Sequence, residues 1–72
     1  MLDDRGSIQV NGSERVLRSR VLSELLTELG YRVEQRGIAA AVNGSVVPRS
    51  QWEQHELQAG DEVEIVGAVQ GG

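Results

Sequence analysis

The chain has 72 residues, a net charge of −4 and no cysteine. That length holds one small domain with a modest core. The missing cysteines exclude a disulfide framework, a thiol nucleophile, a thiolate metal site and a ferredoxin-type cluster. All seven basic residues are arginines scattered along the chain, so there is no basic stripe of the kind nucleic acid requires, and an acidic domain makes a poor partner for an anionic membrane.

Met1 to Gly6 lacks the apolar centre of a signal peptide, and no apolar run in the chain is long enough to span a bilayer. Residues 1–6 read as an overhang with no assigned role. Ser7-Ile8-Gln9-Val10 alternates polar and apolar residues and predicts a strand, and Asn11-Gly12 is a hairpin turn signal. Glu14-Arg15-Val16-Leu17 reads as the returning strand. A two-residue turn would pair Ile8 with Arg15. A three-residue loop would pair Ile8 with Val16 and keep the apolar residues on one face, and the longer loop is the register expected from burial.

Ser19 stands where an N-cap belongs. Val21, Leu22, Leu25, Leu26 and Leu29 then form one apolar helical stripe, with Glu24 and Glu28 on the other side and Gly30 in the C′ position. A helix of about ten residues is expected there. Tyr31 to Gly37 is polar loop. Ile38 to Val42 predicts a strand with Ile38, Ala40 and Val42 on one face. Asn43-Gly44 is a second hairpin signal, and Val46-Val47 is a short strand ended by Pro48. Ser50 and Glu53 have capping-box spacing, so one helical turn of the α or 3₁₀ type follows. Gly60-Asp61 turns the chain into Glu62-Val63-Glu64-Ile65-Val66, which alternates strictly with Val63 and Ile65 inward.

The order ββαββ, a short turn, then β describes an α+β protein. The last strand enters the middle of a mixed four- to five-stranded sheet, parallel to the first, and one main helix packs on one face. This is the β-grasp, or ubiquitin-like, arrangement. The domain is expected over 7–67, with a flexible C-terminal tail over 68–72. That tail ends in Gly71-Gly72. Nothing structural needs two glycines there, since they bury no side chain and lose the most backbone entropy on ordering. They do make a thin thread that fits a narrow slot and presents a carboxylate.

Ala41-Val42-Asn43-Gly44, Val46-Val47-Pro48-Arg49, Trp52, the run Leu57 to Val66 with its Gly60-Asp61 turn, and Val69-Gln70-Gly71-Gly72 together resemble the ThiS family, the ubiquitin-like sulfur carriers of thiamine biosynthesis. Ile8 to Gly12 and the Leu25-Leu26 helix fit the same pattern. The resemblance covers nearly the whole chain from Ser7. The chain departs from it in the overhang and in having no lysine, so no lysine-mediated contact of relatives carries over.

The resemblance implies a protein cosubstrate with no catalytic side chain, no bound cofactor and no metal. The Gly72 carboxylate would be adenylated with ATP-Mg by an E1-like adenylating enzyme of the ThiF type and converted to a thiocarboxylate. The sulfur would come from a donor such as a cysteine desulfurase and pass to a thiazole synthase of the ThiG type. Gly71, Gln70 and Val69 would thread the partner's active site. Arg49, Trp52, Glu62 and Glu64 are candidate partner contacts. Trp52 reads first as a pin holding its loop to the sheet edge, with an anchor in a partner's pocket as the alternative. Glu62 and Glu64 equally serve to keep the outer sheet face wet. The same tail would suit a sulfur carrier for molybdopterin, cysteine or methionine, or a ubiquitin-like modifier of other proteins. A non-covalent binding module with an incidental diglycine end is the third class. A cytoplasmic location fits a small domain without disulfides.

Overall fold

The computed structural model describes residues 5–32 and 34–67. The five strands are β1 (Ser7–Val10), β2 (Ser13–Val16), β3 (Ile38–Val42), β4 (Ser45–Val46) and β5 (Glu62–Gly67). One helix, α1 (Leu22–Glu28), and a 3₁₀ turn (Arg49–Gln51) complete the fold. The sheet order is β2-β1-β5-β3-β4, with β5 parallel to β1 and antiparallel to β3. This is the β-grasp fold with five strands.

Alternation decides the two faces. Ile8, Val10, Ile38, Ala40, Val42, Val63 and Ile65 all point to one side and are buried there against Leu22, Leu25 and Leu26 of α1. Leu17, Val47, Trp52 and Leu57 close the edges of this core.

Both Asn-Gly pairs make two-residue turns. Asn11 and Gly12 have φ of 51° and 86°, and Asn43 and Gly44 have 53° and 85°. These are the left-handed values of the turn whose twist matches paired strands, and asparagine and glycine tolerate them at least cost. The first turn corrects the expected register, because Ile8 pairs with Arg15 and Ser7 with Val16. Turn geometry has overridden the apolar match. Val16 is left 45% exposed on the outer face. Arg15 instead faces the helix side and reaches Glu28 at 3.6 Å. Leu17, one residue past the strand, supplies the buried group that Val16 does not.

The helix is seven residues long and not ten, and Ser19 does not cap it. The Ser19 hydroxyl is buried and donates to Glu28 Oε1 at 2.9 Å. The free N–H groups of the first turn are taken by another segment: Leu22 N donates to His55 O and Ser23 N to Trp52 O, both at 2.9 Å. A helix end needs acceptors, and main-chain carbonyls serve as well as a serine. Ser50 likewise caps nothing, since the 3₁₀ turn begins after Pro48 without a side-chain bond. At the other end Gly30, at φ 99°, lets its own N–H reach Thr27 O and that of Tyr31 reach Leu26 O, the bonding pair of a glycine C-cap. The short strand is Ser45–Val46, with Val47 turned inward beyond it.

The end of the overhang joins the sheet. Arg5 N donates to Leu17 O at 2.9 Å, Leu17 N to Gly6 O at 2.7 Å, and the Arg5 guanidinium to Ser19 O at 2.9 Å. Residues 1–4 lie outside the described residues.

Leu26 is fully buried where α1 crosses the sheet. Leu26→Ala is expected to lower the unfolding free energy by about 3 kcal/mol, read as an earlier midpoint in urea with an unchanged slope.

Candidate functional site

The residues expected to react or to thread a partner, Val69, Gln70, Gly71 and Gly72, lie outside the described residues, as does the whole 68–72 tail. The strand that carries them is described to its end. β5 is central in the sheet and paired with β3 as far as Ile38↔Gly67. The attachment point of the tail is therefore still paired with a neighbouring strand, on its β3 side.

The sheet face opposite α1 runs along β5 up to that attachment point. Ser7 and Gln9 from β1, Glu14 and Val16 from β2, Ala39 and Ala41 from β3, Val46 from β4, and Glu62, Glu64 and Val66 from β5 all point to it by alternation. Ala39 pairs with Val66, and Ala41 pairs with both Glu64 and Val46. The small alanines leave a shallow dent of about 210 Å³ walled by Val46, Val66 and Glu64. Val46 is 74% exposed and Val66 66%, the largest apolar groups left to solvent there. Glu14, Glu62 and Glu64 add three carboxylates to this face, and no arginine of the described strands points to it. The surface can therefore offer a desolvatable apolar centre with an acidic border.

Sequence reasoning placed Glu62 and Glu64 on this face but missed Val46 and Val66. The signal was present for Val66, since the alternation that buries Val63 and Ile65 puts Val66 with the glutamates. Val46 was hidden by reading Val46-Val47 as one strand. The turn asparagines were also read only as turn formers. Asn43 in fact bonds the start of β5, accepting from Glu62 N at 2.9 Å and donating to Asp61 Oδ1 at 3.1 Å. Asn11 bonds it further along, accepting from Ile65 N at 2.8 Å and donating to Ile65 O at 3.2 Å.

The other two candidate contacts lie elsewhere. Trp52 is 2% exposed, and its Nε1 donates to Val47 O at 2.9 Å. It is a core residue that pins its loop, as the first reading of it expected, and its side chain is not left out as an anchor for a partner. The Arg49 guanidinium lies over its ring at 4.5 Å and donates to Gln35 O. Arg49 thus ties the 3₁₀ turn to the loop after α1, and its cation is engaged within the chain.

Against known proteins, the model of the ThiS family matches residues 8–72. A protein of Escherichia coli K12 named sulfur carrier protein ThiS is 42% identical over 53 residues, which are 74% of this chain and 77% of that protein. Its namesake in Thermus thermophilus is 35% identical over 65 residues, 90% of this chain and 98% of the relative. A crystal structure of a thiamine biosynthesis protein (ThiS) from Geobacter metallireducens superposes with a TM-score of 0.72 at 27% identity, covering 92% of this chain and 99% of that one.

The two kinds of candidate contact separate by stability. Trp52→Ala is expected to cost about 4 kcal/mol, while Val66→Ser stays within about 0.5 kcal/mol of the parent. Urea unfolding followed by far-ultraviolet circular dichroism measures both.

Proposed function

This chain belongs to the ThiS family, and from that premise we propose that its reactive group is the carboxylate of Gly72. The protein is a sulfur carrier of thiamine biosynthesis. It carries a group and does not catalyse. The observation that supports Gly72 is the reach of the family match, which runs through the diglycine to residue 72.

A carboxylate is a poor acyl donor. In the proposed sequence one of its oxygens attacks the α-phosphorus of ATP, pyrophosphate leaves, and an acyl adenylate forms. Sulfide attacking the carbonyl carbon then expels AMP and leaves a thiocarboxylate. A persulfide donor such as that of a cysteine desulfurase also needs a thiol to split its S–S bond. Neither Gly71 nor Gly72 has a Cβ to obstruct the nucleophile or the channel wall. Fully extended, Ala68 to Gly72 reaches roughly 16 Å, enough to meet a buried nucleotide while the body stays outside.

The partners in this proposal are an adenylating enzyme of the ThiF type, which supplies ATP-Mg, and a thiazole synthase of the ThiG type. Both must take the same tail, so both must approach the end of β5. The open sheet face lies there. Its apolar centre at Val46 and Val66 suits a partner's projecting aliphatic side chain, and Glu62 and Glu64 suit a basic surface around it. No described helix is long and apolar enough to cross a membrane, and we place the carrier in the cytoplasm with these enzymes.

Incubated with its adenylating enzyme, ATP-Mg and sulfide, the full chain should gain the mass of one oxygen-to-sulfur exchange. The chain lacking Gly72 should gain none and unfold at the same urea concentration, and an equal gain in both would overturn the assignment. Paired Glu62→Lys and Glu64→Lys changes should slow adenylation several-fold at low salt, with the gap closing above about 0.1 M salt, where the Debye length falls to about 10 Å. Rates that match the parent at low salt would remove these carboxylates from the docking surface.

A further inference from the structure

β5 is held differently on its two edges. Toward β3 the pairing is continuous from Val42↔Val63 to Ile38↔Gly67. Toward β1 it stops at Val10↔Val63, because Asn11 takes φ 51° and turns the chain into the hairpin. The Asn11 N–H still reaches Val63 O at 2.9 Å, but its backbone cannot continue alongside β5. Its side chain continues instead. Oδ1 accepts from Ile65 N at 2.8 Å, and Nδ2 donates to Ile65 O at 3.2 Å. A primary amide offers an acceptor and a donor side by side, as a peptide edge does, so Asn11 adds one rung that the main chain of β1 cannot supply. That rung sits two residues before Gly67, where the described strand ends.

We propose that Asn11 is a positioning residue for the reaction at Gly72, its side-chain amide aligning the end of β5 so that the C-terminal residues enter a partner's active site in one direction. This rests on the reading of Gly72 as the activated carboxyl group. Without the amide, Ile65 to Gly67 keeps β3 as its only strand neighbour and samples more directions. The added freedom must be lost again when the body docks and the tail threads, so productive encounters become rarer.

The second hairpin supplies the control. Asn43 has the same left-handed turn, at φ 53°, and it also bonds β5, but at the start of the strand through Glu62. Asn11→Gly and Asn43→Gly each remove one amide and keep a Gly-Gly turn that the geometry accepts. Both are compared with the parent at a temperature where all three are folded. Two readouts are used: adenylation by the cognate activating enzyme with ATP-Mg, and amide hydrogen exchange.

Asn11→Gly is expected to raise the KM for the carrier about tenfold, the equivalent of re-ordering one residue, and to speed exchange at Ile65, Val66 and Gly67. Asn43→Gly should leave the KM and the exchange at those three residues as in the parent. Asn11→Asp keeps the acceptor for Ile65 N and loses the donor to Ile65 O, so it should fall between. Equal kinetics in Asn11→Gly and Asn43→Gly, or faster exchange with a parental KM, would overturn the positioning role and leave the Gly72 reading standing. Failure of the parent itself to be adenylated would remove both.

Discussion

The last strand is gripped from both sides by asparagine amides, and the rest of the molecule is arranged around that grip. β5 arrives fifteen residues after β4, residues 47–61, with no hairpin to fix its register against either neighbour. A parallel partner and a distant antiparallel one must both be found. Asn43 fixes the start of the strand through Glu62 and Asp61, and Asn11 fixes its second half through Ile65. Each of these residues already makes the tightest turn of its hairpin. A single residue type therefore shapes two hairpins and sets the third, long-range pairing between them. Where β5 sits decides which of its residues face the core and where residue 68 begins.

That placement divides the work between two faces. Val63 and Ile65 go under the helix and contribute to stability, at about 25 cal/mol per Å² of apolar area buried. Glu62, Glu64 and Val66, on the same strand, stay outside. Buried and solvent-facing residues thus alternate along one strand. Under the proposed function, a carrier needs little more than this: a body that presents one strand end, and a face beside it with its own pattern of apolar and acidic groups.

The helix shows how main-chain groups replace the expected side-chain devices. Ser19 and Ser50 both stand at positions that look like caps. Ser19 does not cap, because the segment from Trp52 to His55 lies against the start of α1 and its carbonyls take the N–H groups there, and Ser50 does not, because it lies inside a 3₁₀ turn that starts after Pro48. Ser19 is then free to turn inward to Glu28, which also receives Arg15. Trp52 belongs to the same arrangement, its indole buried, its Nε1 on Val47 and its carbonyl on α1. The aromatic residue that composition made conspicuous is thus a structural pin.

Local pattern was enough to read the order of elements, both Asn-Gly turns, the apolar stripe of α1, the inward pair Val63 and Ile65, and the diglycine that marks the family. These depend on residues a few positions apart, whose periodicity and turn preference do not need the rest of the chain. The register of the first hairpin follows from its two-residue turn, whereas tertiary structure decided the length and capping of the helix, the burial of Trp52, and the exposure of Val46 and Val66. It also gave the turn asparagines their second role on β5, across 54 residues for Asn11. The caps of α1 and the second role of the asparagines are settled by partners far away in sequence: a carbonyl from another segment or a neighbouring strand. The physical reason is the same throughout. A backbone polar group must be paired when it is buried, and which group pairs with it depends on what the folded chain brings alongside.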